Sequence, residues 1–307
     1  MYNDTQKNIF VTLGCLMKRI AILGCENSHA DQFLNFIRSD EKYSDVEVVG
    51  IFSEEKEAEI KLSEKHNVPI LSSIDEAVGK IDGLIVTARD GKNHFPYAKN
   101  YISKDFPMFI DKPITSSEKD AVEFMRLCRD AKVRLTGGSS CVHTETVQSL
   151  RQSVLNKVDG ETIGGIVRGP VSMHNNYGDF WFYAQHVTEI LCEIFGRFPV
   201  SVQAFVNGKK KTVVFRYEQY DITALFVEDN YVYSAERMNE KGIEGGVFPV
   251  TGNSSCFKSE FDEFYGLLCG AAPRLTEEEF IAPVFVMSAI ERSLNSGKEE
   301  KVNEIHI

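Results

Sequence analysis

Residues 19–37, RIAILGCENSHADQFLNFI, constrain this chain more than any other stretch. Residues 19–23 are apolar, short and bounded by Gly24, the pattern of a buried strand in a parallel sheet. Ala30, Phe33, Leu34 and Ile37 follow at i, i+3, i+4 and i+7, which puts them on one face of a helix. Ser28, with Asp31 three residues on, has the form of a capping box at the start of that helix. A strand that passes through a tight turn into a helix N-terminus makes an anion site, because free backbone N–H groups and the helix dipole face the turn. In a doubly wound α/β fold this first turn is where a dinucleotide pyrophosphate sits, over the glycine pattern G-x-G-x-x-G. The chain reads Gly24-Cys25-Glu26-Asn27-Ser28-His29 and keeps only the first of those glycines.

The alternation of strand and helix continues. A second strand over Val46–Phe52 ends at Ser53-Glu54-Glu55, and a Glu/Lys-rich helix is expected over residues 55–65. A short third strand is expected at 68–70 and a short helix at 74–78. The fourth strand, DGLIVT, closes on Thr87, and the loop 88–93 beyond it lies at a strand's carboxyl end, where function concentrates. A helix over 95–102 leads to a fifth strand at 107–110 that ends in Asp111-Lys112-Pro113. A helix over 116–131 with a Ser-Ser-Glu start then leads to a sixth strand at 133–136, ending in Gly137-Gly138. Right-handed crossovers and a doubly wound parallel sheet follow from this order. After Ser139 the texture changes. A helix over 145–157 precedes strand-like runs at 165–173, 200–207, 212–217, 222–227 and 231–237, with Asn-Gly and Asp-Asn turn signals between them. Helices are expected over 183–195, 257–269 and 277–295. The fold class is therefore α/β: a Rossmann-like doubly wound sheet over residues 17–139, then an α+β part over 140–307 with an open, mainly antiparallel sheet. Alternating runs such as 212–217 and 222–227 leave such a sheet with an apolar face that a second copy covers, so a homo-oligomer is expected.

Bulk properties narrow the class. Lys and Arg total 34 against 45 Asp and Glu, a formal net charge of −11, which argues against nonspecific nucleic-acid binding. No apolar run approaches the length of a membrane span. Seven scattered cysteines, an odd number, suit a reducing cytoplasm better than a disulfide framework. Residues 9–13 ahead of Gly14-Cys15 are too short an apolar run for a lipoprotein signal, and Asp4 offsets Lys7. Residues 1–16 are expected to be an N-terminal extension, and Met17, just before the first strand, is a second candidate start.

Two constellations can carry chemistry. Pro113 keeps Lys112 out of helical geometry, so its amine can project over the crevice at the sheet's carboxyl edge. His186, Glu189 and Ile190 share one face of the 183–195 helix, with Tyr183 one turn before His186. A histidine there can serve as general base for a hydroxyl, since its pKa lies near working pH. Each residue has a plain alternative: a surface lysine at a strand end, and a satisfied core histidine. Cys141-Val142-His143 with His174 matches no common zinc spacing, so no metal is expected. The basic turn at Lys209 to Lys211 reads as a solvated hairpin tip.

Taken in order, these parts resemble the glucose–fructose oxidoreductase/inositol dehydrogenase/rhizopine catabolism (Gfo/Idh/MocA) family over nearly the whole chain from Met17. The features that carry the resemblance are the turn at Gly24, the strand ending at Phe52, DGLIVT, Asp111-Lys112-Pro113, Gly137-Gly138, the His186 helix, and the last helix near Pro273. The resemblance implies that Lys112, in a form of the family's E-K-P motif, is a catalytic and nicotinamide-side residue and that His186 is the catalytic histidine. It implies a cofactor, NAD or NADP, held by Gly24, Asn27, Ser28, Ser53, Thr87 and Lys112. It also implies a sugar- or polyol-like substrate bound by the second domain, which often makes dimer or tetramer contacts too. Three positions depart from the pattern. Glu26 replaces the second glycine, and Ser53 stands where an acidic residue binds the adenosine ribose. Phe182 stands where an aspartate often precedes the histidine by four residues; Asp179 is out of phase with it, and Tyr183 is the substitute polar partner. Ser53 accepts either ribose form, while Glu54 and Glu55 disfavour a 2′-phosphate and Lys56 is a candidate partner for one. Two other functions fit the same parts: a non-catalytic member that binds a sugar-like ligand or a protein partner, and a lyase or hydrolase that oxidises transiently with a retained cofactor.

Overall fold

The computed structural model describes residues 17–250 and 254–307. The expected extension over residues 1–16 lies outside them. Strands Lys18–Leu23 (β1), Val46–Phe52 (β2), Gly83–Val86 (β3), Pro107–Asp111 (β4) and Arg134–Gly138 (β5) form one parallel sheet in the order β2-β1-β3-β4-β5. Helices Ser28–Ser39 (α1), Lys56–His66 (α2), His94–Ala98 (α3) and Glu118–Ala131 (α4) connect them. β3 and β4 are buried along their whole length, as their unbroken apolar runs require in a sheet covered on both faces.

The sheet has five strands where six were expected. At 68–70 only a single bridge forms, from Ile70 to Ile51, because Pro69 has no N–H to give to a ladder. Residues 74–78 form turns closed by i→i+3 bonds, such as Val78 N–H to the Asp75 carbonyl, and not a helix. The capping box at Ser28 does not form either. Asn27 is the N-cap, Ser28 is already helical, and the Asp31 carboxylate is taken by Lys65 and His66 of α2.

The second half contributes Glu145–Leu155 (α5), Thr162–Val171 (β6), Phe180–Phe195 (α6), Ser201–Asn207 (β7), Lys210–Arg216 (β8), Asp221–Glu228 (β9), Tyr233–Asn239 (β10), Gly242–Phe248 (β11), Ser254–Leu268 (α7), Glu277–Ser296 (α8) and Glu299–Lys301 (β12). The strands lie in the order β11-β10-β6-β9-β8-β7-β12, antiparallel except for the parallel pair β6–β9. One face, with Val202, Ala204, Val213, Phe215, Ile222, Ala224 and Phe226, is buried against α6 and α8. Phe205, Ile243 and Val247 remain exposed on the strands. The hairpin tip between β7 and β8 is not fully solvated, since Lys211 is buried and paired with Glu228. No described helix is long and apolar enough to cross a membrane.

The two halves are not closed off from each other. α7 packs back on α1, β4 and β5. Its Phe261 and Phe264 complete a buried aromatic cluster with Phe33, Tyr43 and Phe109. The opposite face of the parallel sheet shares one continuous buried cluster with α4, α6, α8 and the second sheet. These contacts hold the carboxyl edge of the parallel sheet against the start of α6.

Candidate active site

At that edge the loops after β1, β3, β4 and β5 meet α6 around a cleft of about 600 Å³. Lys112, His186 and Tyr183, proposed from sequence, all line it, together with Asn27, Ser28, Arg89, Tyr177, Phe182, Tyr231 and Tyr233. Lys112 follows the last residue of β4, and its peptide bond to Pro113 is cis. Its ammonium lies 4.8 Å from the centroid of the Phe182 ring and donates to the Phe182 carbonyl at 3.4 Å. Phe182, one turn before His186, therefore partners the lysine through a cation–π contact.

His186 is fixed by a clamp between α6 and the end of β5. Its Nδ1 is 2.6 Å from the Ser139 hydroxyl, and the Ser139 N–H donates to Glu189 Oε2 at 2.7 Å. Glu189 Oε1 accepts from Gln185 at 2.9 Å. Gly138 has φ of +93°, which favours glycine, and a Cβ there would lie 2.4 Å from Glu189 Oε2 and push aside the carboxylate that Ser139 binds. Burial, and then the positive charge of Lys112, hold the His186 imidazole well below its ordinary pKa. Burial raises Glu189 against the opposing bonds from Gln185 and Ser139. Tyr183 sits beside this group without bonding to it. Its ring centroid is 6.3 Å from that of His186 and 5.5 Å from that of Tyr231.

The turn after β1 has a mixed character. Gly24 has φ of +78°, and a Cβ would meet the Ala88 backbone nitrogen at 2.2 Å. The Thr87 hydroxyl donates to the Gly24 carbonyl at 3.0 Å and is fully buried, so Thr87 holds the turn and does not face the cleft. α1 carries no side-chain cap, which leaves its first N–H groups open to an anion. Asn27 donates instead to Asp111 at 2.7 Å, and the exposed Ser28 donates to Asn27 at 3.3 Å. These features fit a dinucleotide. Glu26 does not. Its carboxylate turns inward, accepting from the Ser53 hydroxyl at 2.6 Å and from the Arg89 N–H at 2.9 Å. The adjoining cavity of about 440 Å³ is lined by Glu26, Glu54, Glu55 and Asp90, with Ser53 buried beside them. The nearby cations are engaged: Lys92 by Asp90 at 2.6 Å, Lys56 by Glu59 at 3.0 Å, and Arg89 within 3.8 Å of Glu55. A further unit negative charge about 5 Å from Glu26 would be repelled by roughly 3 kcal/mol at an effective dielectric near 20.

Cys141, His143 and His174 do not assemble. Cys141 lies 3.5 Å from His186, and His143 faces Glu263. Sequence reasoning passed over Ser139, whose role rests on two contacts made far along the chain, and the tyrosines of the second sheet, Tyr231 and Tyr233. It also passed over His94, which is buried between the Pro113 carbonyl at 2.6 Å and the Ala88 carbonyl at 2.8 Å and so ties the loops after β3 and β4.

A Rossmann-type sheet with its carboxyl edge facing a helix from an open second sheet defines the class. Residues 18–139 match the model of the GFO_IDH_MocA family, described as an oxidoreductase family with an NAD-binding Rossmann fold. Many solved structures share the fold over nearly the whole chain, three of them as follows. The myo-inositol dehydrogenase from Corynebacterium glutamicum aligns with a TM-score of 0.78 at 17% identity, covering 94% of this chain and 100% of that one. The myo-inositol dehydrogenase from Lactobacillus casei, in complex with NAD(H) and myo-inositol, gives 0.79 at 12%, covering 95% and 98%. The WlbA dehydrogenase from Chromobacterium violaceum, in complex with NADH and UDP-GlcNAcA, gives 0.73 at 15%, covering 94% and 97%. No curated protein matches the sequence.

Burial pushes the His94 imidazole down to about 4, against the two carbonyls that favour its charged form. A depressed folded pKa means stability that is complete above the unfolded value near 6.5 and is lost as pH falls towards 4. The stability advantage of the parent over His94→Gln should therefore shrink by about 1.4 kcal/mol per pH unit across that window, roughly 3 kcal/mol in all. Urea unfolding of both proteins from pH 7 to 4 measures it; a constant difference would show that His94 does not titrate there.

Proposed function

We propose that the chain is an NAD(P)-dependent oxidoreductase that moves a hydride between a nicotinamide cofactor and a sugar- or polyol-like alcohol or ketone. The observation that carries this reading is that Lys112 and His186 line one cleft beside a domain of an NAD-binding oxidoreductase family. In the oxidative direction His186 takes the hydroxyl proton at Nε2 while its Nδ1–H is donated to Ser139. Its burial keeps the ring neutral, the form able to accept. Lys112 orients the same oxygen and stabilises the negative charge that develops on it. The nicotinamide, when bound, supplies the hydride acceptor. Gly24, Asn27 and Ser28 would hold its phosphates, with Ser53 and Thr87 shaping the turn behind them and Lys112 beside the reactive ring. Tyr177, Tyr183, Tyr231 and Tyr233 give the cleft aromatic faces and hydroxyls suited to a polyhydroxy ring, in keeping with the inositol and UDP-GlcNAcA bound by the neighbours. The acids around Ser53 favour NAD over NADP, whose 2′-phosphate adds negative charge.

Glu26 favours a second reading, a non-catalytic member that binds a sugar-like ligand or a protein partner through the same cleft, since its carboxylate already uses donors at the dinucleotide turn.

The exposed Phe205, Ile243 and Val247 on the second sheet support a homo-oligomer. Light scattering at micromolar concentration should give a multiple of the 34.6 kDa chain mass; a monomer contradicts it.

Activity separates the two readings. With NAD or NADP and a panel of polyols and sugars, Lys112→Ala and His186→Ala should each lower turnover by about 10²- to 10⁴-fold while circular dichroism shows both still folded. Near-parent turnover in both variants would overturn these roles. Ligand binding by a parent that turns nothing over would support the second reading.

A further inference from the structure

Against the same cleft lies a buried group to which neither reading gives a role of its own: His29, which lines the cleft, with Asp111 and Glu260. His29 stands at the third glycine position of the dinucleotide pattern. It lies between Asp111 at the end of β4 and Glu260 of α7. Its Nδ1 is 3.5 Å from Asp111 Oδ2, and its Nε2 is 3.3 Å from Glu260 Oε2. One donor atom from each of the three side chains can be chosen so that all lie within 4.8 Å of one another, and all three residues are buried. This is the one such convergence of three or more His, Cys, Asp or Glu side chains among the described residues. His29 Nε2 and both oxygens of Glu260 have no hydrogen-bond partner, although Glu260 is only 1% exposed.

Orphaned buried atoms of this kind are rare, because burying a carboxylate without a partner is costly. Burial raises both the Asp111 and the Glu260 carboxyl, so the pair is held towards its neutral form until a cation sits between them. We propose that His29, Asp111 and Glu260 form a binding site for a divalent transition-metal ion of the zinc class. One imidazole nitrogen and two carboxylate oxygens are the donor set such ions take, with the fourth tetrahedral position left open. The 3.3 Å between His29 Nε2 and Glu260 Oε2 matches the edge of a tetrahedron with bonds of about 2.0–2.1 Å. An Asp111 carboxylate oxygen lies within 4.8 Å of the other two donor atoms and would complete the set by moving towards the ion, sharing the bond that Oδ2 accepts from Asn27. An ion here joins α1, β4 and α7, and so clasps the helix that returns from the second half onto the parallel sheet. Its ligands come from segments far apart in the chain, so no local spacing announces the site.

Tag-free protein stripped with chelator and titrated with Zn²⁺ and Co²⁺ tests the proposal. The parent should take up one equivalent, with a raised thermal midpoint and visible Co²⁺ absorption. Glu260→Gln and His29→Gln, each keeping side-chain bulk, should lower affinity by more than the roughly 10- to 100-fold that outer-shell changes cost. If either variant fails to fold, anomalous diffraction at the zinc edge from Zn²⁺-loaded parent crystals decides instead. A peak between the three side chains supports the site. No uptake by the parent, equal uptake by folded variants, or a peak at the cysteines alone overturns it.

Discussion

Two carboxylates pin the turn between β1 and α1, and the geometry of the cleft depends on that pinning. Glu26 reaches across the carboxyl edge to the Ser53 hydroxyl at the end of β2 and to the Arg89 N–H after β3. Asp111, fully buried at the end of β4, accepts from Asn27 of the turn and from the Lys112 N–H. Burial raises the Asp111 carboxyl to about 6, with His29 and Lys112 opposing. The turn is thus tied to all three of its neighbouring strand ends by the protein's own acids. In a dinucleotide site that surface is kept for the anionic phosphates of the ligand. Here the fold is kept and the charge balance is altered.

The other side of the cleft is set by close approach. Gly138 leaves room for the Glu189 carboxylate, and Ser139 satisfies Glu189 with its N–H and meets His186 with its hydroxyl. Lys112 lies over the Phe182 ring one turn before His186. The aromatic packing of α7 against α1 and β4 supports the sheet beneath them. Packed elements on both sides suit a proton transfer, whose geometry tolerates little error.

Much of this was legible in the sequence where the signal is local. The apolar run into Gly24, the strand that delivers Lys112 and the helix that carries His186 each announce themselves within a dozen residues. The third and sixth expected strands mark where locality fails. The 68–70 run is blocked by the missing N–H of Pro69, whereas Gly137 and Gly138 extend β5 beyond its apolar residues. β11 was missed because GIEGGVF has three glycines and little alternation. Glu26 was visible as an oddity, but the direction of its side chain depends on Ser53 and Arg89, which come from two other strand ends. The return of α7 to the first sheet, and with it Glu260, rests on long-range packing that no window of sequence displays.

We propose that Glu26 acts as a built-in anion that weakens the dinucleotide turn. Isothermal titration of NAD into the parent and into Glu26→Gly, at one ionic strength, tests it directly. Removing roughly 3 kcal/mol of repulsion predicts weak binding by the parent and binding on the order of a hundredfold tighter by the variant. Tight binding by the parent, or weaker binding by Glu26→Gly, would contradict the account and make the carboxylate a partner of the cofactor instead of a barrier to it.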